Sequence, residues 1–281
     1  MKRDKIYIST QARKSDIISL LNFAIEQKVG LELSSGFDTS INNLFEIISN
    51  ENLNYKFHNY FPIPNEPFVL NLGSLNNEVR RKSIDFVKRN LLLSKKLNLE
   101  YYSCHAGFLI DPNPNDLGSQ FDLSLITKSL YDESLLSFKK SIIELIKFSE
   151  INNIKLLIEN NVVPSINIYN GIPVALLTNV KEMILFFEEF KNSIGLLFDT
   201  AHYKVNCLSM NLELSDAKLL SKYCKVVHHS EPIKENDINL PFKEDYWFKD
   251  YINLFNHCDH VLEFKNVSNN ELKSAINAIS K

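Results

Sequence analysis

The sequence predicts an α/β fold, a single (β/α)8 TIM barrel, and three observations support this prediction. Short runs rich in β-branched and aromatic residues alternate with longer segments whose apolar residues recur at helical spacing. Eight such runs are present, which is the number of strands that closes this kind of barrel. The first run ends at Ser9, and the segment after it contains no glycine-rich phosphate loop. Such a loop usually follows the first strand of an open doubly wound sheet.

The predicted strands are distributed along the whole chain, with a helical pattern between them. Because parallel neighbours need a crossover connection, this alternation predicts parallel pairing. In chain order the predicted strands are Lys5–Ser9, Val29–Leu33, Tyr55–His58, Leu99–His105, Ile154–Glu159, Gly195–Asp199, Lys225–His229 and His260–Phe264. Two helices have clear apolar stripes, at Ile18, Leu21, Ala24 and Ile25 and at Leu135, Phe138, Ile142, Leu145 and Ile146. Helix N-caps are expected at Ser15 and at Thr178 or Asn179.

Length, charge and cysteine usage limit the class of protein. The chain has 281 residues and no linker-like segment, so residues 1–281 are expected to form one domain. Its 31 basic and 34 acidic side chains nearly cancel, which does not favour a nucleic-acid partner. Neither a signal peptide nor an apolar run of about eighteen residues is present, so no membrane association is expected. Four scattered cysteines without a Cys-x-x-Cys pair are typical of a cytoplasmic protein.

The most informative pattern is the type of residue that ends each strand. Strands three to eight each end in a carboxylate or an imidazole: His58, His105, Glu159, Asp199, His228 and Glu263. In a barrel these carboxyl ends meet at one face. Three acids brought together there would repel one another unless a cation lay between them. Carboxylates with one neutral imidazole suit Mn²⁺, Mg²⁺, Co²⁺ or Zn²⁺, so we predict one divalent metal ion at this face.

Each of these residues taken alone has an ordinary structural explanation. A strand-end Glu can be a surface residue, Asp199 can cap the next helix, and His58 or His105 can be a buried structural histidine. Their occurrence on consecutive strands favours a shared site. His228 and His229 are adjacent and point to opposite faces of the strand, so only one can face the site, and His228 is preferred. His257 and His260 are expected at the other end of the barrel, in structural or exposed positions.

Four short segments resemble a known group of proteins. These are Ile158-Glu159-Asn160, Phe198-Asp199-Thr200-Ala201-His202, His228-His229-Ser230-Glu231-Pro232 and Leu262-Glu263. In this order they resemble the xylose-isomerase-like TIM barrel superfamily, which contains the sugar phosphate isomerase/epimerase family and the related apurinic endonuclease family 2. The resemblance extends over nearly the whole chain.

This resemblance implies a metal-dependent isomerase or epimerase of a small sugar or sugar derivative. Glu159, Asp199, His228 and Glu263 would hold the metal, and Glu159 and Glu263 would also transfer the proton by way of an enediolate. His58, His105, His202 and Glu231 would bind the substrate. Members of the group often form homo-oligomers, so self-association is a further possibility.

Three other functions stay open from the sequence. The endonuclease branch holds three zinc ions, and His58, His105 and the Asp199-x-x-His202 pair match its pattern. That branch also needs an Asp-x-His pair after the seventh strand, whereas residues 230–256 contain no histidine. A sugar or polyol dehydratase would begin with the same proton abstraction. A non-catalytic barrel could retain the site as a ligand sensor.

Overall fold

A closed barrel of eight parallel strands forms the centre of the computed structural model, which describes residues 2–14, 16–34 and 53–280. The barrel strands are β1 (Ile6–Ser9), β2 (Gly30–Leu33), β3 (Tyr55–His58), β4 (Tyr101–His105), β5 (Lys155–Glu159), β8 (Ile194–Asp199), β9 (Cys224–His229) and β12 (Asp259–Leu262). β1 pairs with both β2 and β12, and this pairing closes the ring. The predicted (β/α)8 barrel is therefore confirmed, and each predicted strand is present with ends that shift by no more than two residues.

The helices surround the barrel and bury their apolar sides against it. They are α1 (Ile17–Gln27), α2 (Asn77–Lys96), α3 (Lys128–Asn152), α4 (Val180–Glu189), α5 (Thr200–Met210) and α6 (Asn269–Ile279). Two longer 3₁₀ segments, Leu214–Leu220 and Lys249–Phe255, complete this layer. None of the described helices combines the length and the apolar character that crossing a membrane requires.

The helix caps agree in part with the sequence-based expectation. Asn179 caps α4, because its side chain accepts a hydrogen bond from the backbone N–H of Glu182. At α1 the capping side chain is that of Asp16, which accepts from the N–H of Ser19. Ser15, the other expected cap, lies outside the described residues.

Two small antiparallel hairpins interrupt the regular alternation. One pairs β6 (Ile168–Tyr169) with β7 (Ile172–Pro173), and the other pairs β10 (Glu231–Ile233) with β11 (Asn236–Leu240). The second hairpin directly follows β9, where a regular barrel would begin its seventh helix. It therefore adds side chains to the carboxyl end of the barrel that do not come from any barrel strand.

The inside of the barrel divides into an apolar layer and a polar layer. Side chains of a strand alternate between its two faces, so residues two apart share a face. A separate apolar cluster fills the interior near the amino ends of the strands: Tyr7, Tyr101, Leu157, Leu197, Val226 and Val261. Two residues further along four of these strands stand Glu159, Asp199, His228 and Glu263. The strand periodicity that places the apolar cluster near the amino ends therefore also directs these four polar side chains into the barrel interior near the carboxyl ends.

A lysine at the amino-terminal end of the barrel forms ion pairs with two acidic side chains. The Nζ atom of Lys56 lies 3.3 Å from Glu100 and 3.5 Å from Asp259, and it contacts the rings of Tyr7 and Tyr101. A cavity of about 1150 Å³ opens beside these residues. This cavity lies at the opposite end from the strand-terminal acids and histidines, so it is not continuous with their site.

The connection after β4 depends on a glycine that touches another backbone segment. A Cβ atom added at Gly107 would lie 2.6 Å from the backbone nitrogen of Gly73 and 2.9 Å from its Cα. Neither backbone atom can move away without displacing its own loop. The two loops can therefore approach each other only because residue 107 has no side chain.

We expect Gly107→Ala to lower the free energy of unfolding by about 1–3 kcal/mol through this overpacking. Urea denaturation monitored by circular dichroism measures the change. Lys140→Ala, on the exposed side of α3, is the control and is expected to change stability by less than about 0.5 kcal/mol. Equal stabilities for the wild type and Gly107→Ala would show that the loops separate freely.

Candidate metal centre

Four residues from neighbouring barrel strands bring potential ligand atoms together at the carboxyl end. Glu159 ends β5, Asp199 ends β8, His228 lies in β9 and Glu263 directly follows β12. One ligand atom from each of the four lies within 4.8 Å of the others. All four side chains are buried, and the most accessible, Glu263, is 7% exposed. The structure thus places the four predicted metal ligands in one cluster.

Several oxygen atoms of this cluster are buried without a hydrogen-bond partner among the described residues. They are Glu159 Oε1, Glu159 Oε2 and Asp199 Oδ2, together with Glu32 Oε1 from β2. A buried carboxylate oxygen without a donor costs on the order of 1–3 kcal/mol or more in lost hydration. The donor set, with three carboxylates and one imidazole, suits a divalent cation. The residues therefore fit a divalent metal ion.

The ring of His228 is held between carboxylates on both sides. Its Nδ1 atom faces the cluster, at 3.1 Å from Glu263 Oε2, 3.8 Å from Glu159 Oε1 and 3.9 Å from Asp199 Oδ2. Its Nε2 atom lies 2.9 Å from Glu32 Oε2 on the other side. Because the ring has this orientation, Nδ1 is the atom that can act as a ligand together with the three acids.

Neighbouring amides and backbone groups orient the acids. The Nε2 amide of Gln11, in the short 3₁₀ helix Thr10–Arg13 after β1, donates to Glu263 Oε1 at 3.1 Å. Asp199 Oδ1 accepts from the N–H of His202 at 2.7 Å and so caps α5, while its Oδ2 atom faces the cluster. Asp199 therefore serves as a helix cap and as a candidate ligand at the same time. The backbone N–H of Asp199 also donates to Asn160 Oδ1 at 2.8 Å.

His58 and His105 form a second group with Glu159. His58 Nε2 and His105 Nδ1 lie 3.2 Å and 3.4 Å from Glu159 Oε2. Ser103 Oγ donates to the carbonyl of Phe57 and accepts from His58 Nδ1. With the Ser103 hydroxyl donating to the Phe57 carbonyl, the proton of a neutral His58 ring is on Nδ1 and the lone pair of Nε2 points at Glu159. Either a proton on Glu159 or a metal ion can satisfy this contact.

His202 lies on the far side of Glu159 and contacts a residue that the sequence did not single out. Its Nδ1 atom donates to the carbonyl of Asn160 at 2.8 Å, and its Nε2 atom lies 3.2 Å from Asp237 Oδ2. Asp237 belongs to β11 of the hairpin that follows β9. Because Asp237 lies far from His202 along the chain, no sequence spacing predicts that the two residues meet.

Glu231, at the start of the same hairpin, is placed differently. Its carboxylate pairs with Lys204 of α5, and no contact with the four clustered ligands is present in the described part of the chain. The structure therefore groups His58, His105 and His202 with Glu159 but leaves Glu231 at the edge of the site. Glu32 and Gln11 are two further residues of the site that sequence analysis missed.

The remaining histidines lie away from the cluster, as expected. His229 is fully buried on the outer face of the barrel, where Nδ1 contacts the hydroxyl of Tyr246 and Nε2 contacts His260 Nδ1, each at 2.8 Å. His260 is also fully buried, and its Nε2 atom contacts the carbonyl of Phe255. His257 is exposed. The alternation of strand side chains explains why His228 and His229 have separate environments.

Burial and mutual charge shift the ionisation of the cluster in opposite directions. Burial raises the pKa of Asp199 to about 7 and raises the pKa of Glu159 well above its usual range. Burial also opposes ionisation of Glu263, but the charged imidazole of His228 holds the pKa of Glu263 below its ordinary value. Burial disfavours a charged His228 as well, yet Glu32 and Glu263 raise the pKa of this imidazole. Without a metal ion, the cluster therefore retains protons at neutral pH.

The fold agrees with comparisons to known proteins. Residues 30–272 match the model of the xylose isomerase-like TIM barrel family, and the chain belongs to that family. A probable endonuclease 4 from Sulfurihydrogenibium sp. (strain YO3AOP1) is 30% identical over 200 residues, which span 67% of this chain and 59% of that relative.

Solved structures of a sugar epimerase and of an epimerase-like protein share the fold at low sequence identity. A D-tagatose 3-epimerase-like protein superposes with a TM-score of 0.68 at 17% identity and with 98% of both chains covered. The D-psicose 3-epimerase of Clostridium cellulolyticum H10, solved with D-tagatose, gives a TM-score of 0.66 at 14% identity, again with 98% of both chains covered. At these identities the likeness establishes the barrel fold alone.

We expect divalent metal binding to release protons and to strengthen as the pH rises from 6 to 8. The raised pKa values of Glu159, Asp199 and His228 mean that a cation must displace protons, and fewer remain to be displaced at higher pH. The affinity should rise about tenfold per pH unit for each proton displaced. Isothermal titration calorimetry with Mn²⁺ in two buffers of different ionisation enthalpy measures the number of protons. Binding that is independent of both pH and buffer would contradict this description of the site.

Proposed function

We propose that this protein is a divalent-metal-dependent isomerase or epimerase of a small sugar or sugar derivative. The observation that carries the proposal is the buried cluster of three carboxylates and one imidazole from four barrel strands. A bound divalent ion would polarise a carbonyl oxygen and a neighbouring hydroxyl of the sugar and would make the C–H between them more acidic. Glu159, Asp199, His228 and Glu263 are the residues that would hold it.

The chemistry assigned to the protein itself is proton transfer by carboxylates. Glu159 and Glu263 are the two candidates that the family resemblance implies, and each has one oxygen directed at the cluster and a second oxygen close to a polar side chain. One carboxylate would remove a proton from carbon, and the same or the other carboxylate would return it. The hydrogen bond from Gln11 orients the Glu263 side chain before a substrate would bind.

The accessible side of the cluster indicates where a substrate would bind. Around it, the side chains of His105 and Asp237 are 28% and 17% exposed, whereas those of Glu32, Glu159, Asp199 and His228 are at most 1% exposed. A substrate would therefore approach between β4 and the β10–β11 hairpin. His58, His105 and His202 would bind its hydroxyl oxygens from this side, and Glu231 could contribute only after leaving Lys204.

The comparisons support the proposal without establishing the reaction. Both epimerase-related structures cover nearly the whole chain, and one contains D-tagatose. The family match includes all four candidate ligands, since they lie between residues 30 and 272.

We expect the metal-loaded protein to exchange a carbon-bound proton of a ketosugar with solvent. The assay uses free and phosphorylated ketohexoses, including D-tagatose and D-psicose, in D₂O with Mn²⁺, and mass spectrometry detects a gain of one deuterium. Glu159→Gln and Glu263→Gln should each lower the exchange rate by a factor of about 10² or more, because each removes a proton-transfer group.

Glu244→Gln, on an exposed loop, is the matched control and should exchange at the wild-type rate. Loss of water from the substrate would indicate a dehydratase. Full activity in both site variants would refute the assigned chemistry.

A second candidate function, a multi-zinc phosphodiesterase of the endonuclease type, is favoured by one specific observation. His58, His105 and Glu159 form a second group of potential ligands, and His202 faces Asp237, so Glu159 could bridge two ions. The endonuclease relative points in the same direction. Against this candidate, Asp237 is followed two residues later by Asn239 and not by a histidine. The third zinc position would therefore lack one imidazole.

Metal content distinguishes the two functions. We expect about one ion per chain in the wild type and the same value in the double variant His58→Ala/His105→Ala, since four other residues hold the ion. Elemental analysis of protein refolded or dialysed with Zn²⁺ measures it, with His257→Ala, an exposed histidine, as the control. Two or three ions in the wild type, with a loss of one or more in the double variant, would favour the hydrolase.

A further inference from the structure

Glu32 is a buried acid of the site that none of the assigned roles uses. It lies in the middle of β2, is 0% exposed, and directs Oε2 to His228 Nε2 at 2.9 Å. Its other oxygen, Oε1, has no hydrogen-bond partner among the described residues. A fully buried carboxylate whose single hydrogen bond goes to a candidate metal ligand is costly to maintain. Such a residue needs an explanation.

The contacts of His228 supply that explanation. A neutral imidazole carries one proton, on either Nδ1 or Nε2, and the nitrogen without it offers a lone pair. Glu32 is the carboxylate within hydrogen-bond distance of Nε2, while Nδ1 faces Glu159, Asp199 and Glu263. Because a carboxylate accepts hydrogen bonds, Glu32 favours the proton on Nε2. The lone pair of Nδ1 is then directed at the three acids.

We propose that Glu32 is a positioning residue that fixes the ring orientation and the tautomer of His228 for metal binding through Nδ1. A carboxylate that accepts the second ring proton of a metal-bound histidine also makes the ligand nitrogen more basic. The inference rests on the metal site of the proposed function but is independent of its substrate. It would hold equally if the protein acted on a phosphodiester.

A direct role for Glu32 as a metal ligand is the alternative. Glu32, His58 and His228 each have one potential ligand atom within 4.8 Å of the others. In that arrangement a metal ion would have to replace the hydrogen bond between Glu32 and His228 Nε2. His58 already directs Nε2 at Glu159 and Nδ1 at Ser103, so neither nitrogen is directed at Glu32. The geometry therefore favours the positioning role.

Co²⁺ titration of the wild type and three variants tests the proposal by affinity. Glu32→Ala should weaken Co²⁺ binding by about 10- to 100-fold, because the ring loses its partner. Glu32→Gln should recover much of this loss, since its amide oxygen can accept the same hydrogen bond. Glu182→Gln is the matched control: it alters a carboxylate of α4 that accepts from the N–H of Thr178, outside the site, and should leave Co²⁺ affinity unchanged. Wild-type affinity in a folded Glu32→Ala variant would overturn the proposal.

The tautomer of His228 is the decisive second measurement and needs no variant to fold. In the Zn²⁺-loaded wild type, long-range ¹H–¹⁵N correlation spectra should show the His228 proton on Nε2 and zinc on Nδ1. A proton on Nδ1, or metal contact through Nε2, would overturn the proposal even if Glu32→Ala cannot be purified. Neither measurement uses a sugar, so absence of epimerase activity would refute the proposed reaction and leave the role of Glu32 intact.

Discussion

The site depends on one constraint. Four carboxylates are buried away from water inside one end of the barrel. Glu32, Glu159, Asp199 and Glu263 are each no more than 7% exposed at the side chain. An isolated buried carboxylate is so unfavourable that it takes up a proton or acquires a counter-charge. The imidazoles and the Gln11 amide around these acids are part of this compensation.

The imidazoles provide the compensation in a fixed geometry. His228 stands between Glu32 and the other acids, His58 is held through Ser103, and His202 is held through the Asn160 carbonyl. In each ring one nitrogen is committed to a protein partner, so the other nitrogen faces a carboxylate. This arrangement favours protonated side chains when no metal is present, and its ligand atoms are the ones that would hold a divalent cation. The same contacts therefore support the folded barrel and prepare the site.

The strand-borne part of this arrangement could be predicted from the sequence because it follows from local periodicity. Glu159, Asp199, His228 and Glu263 each lie two positions after an apolar interior residue, and each lies at or near the carboxyl end of its strand. The barrel then determines that these ends meet. The observed strand ends differ from the predicted ones by up to two residues, because hydrogen bonding between neighbouring strands decides where pairing stops.

The residues that were missed depend on contacts between distant parts of the chain. Asp237 reaches His202 only because a hairpin replaces the start of the seventh helix, and no spacing rule predicts that hairpin. Glu32 sits inside the short strand Gly-Leu-Glu-Leu, where it looks like the polar residue of a half-buried strand. The alternation of Glu32 with Leu31 and Leu33 did indicate where its side chain points. If those leucines face the helices, Glu32 must face the barrel interior.

The β10–β11 hairpin can change in sequence independently of the barrel strands that carry the four clustered residues. It is attached to the rest of the protein through the pairs of Lys204 with Glu231 and His202 with Asp237, through Ser165 with Glu235, and through the N–H of Lys265 with the carbonyl of Asn239. None of these contacts is part of the barrel hydrogen-bond ladder. Mutations in the hairpin that leave Asp237 unchanged can therefore alter this side of the carboxyl end while the four strand-borne residues stay in place. The residues proposed to carry out the chemistry and much of the surface beside them thus belong to separate segments of the chain.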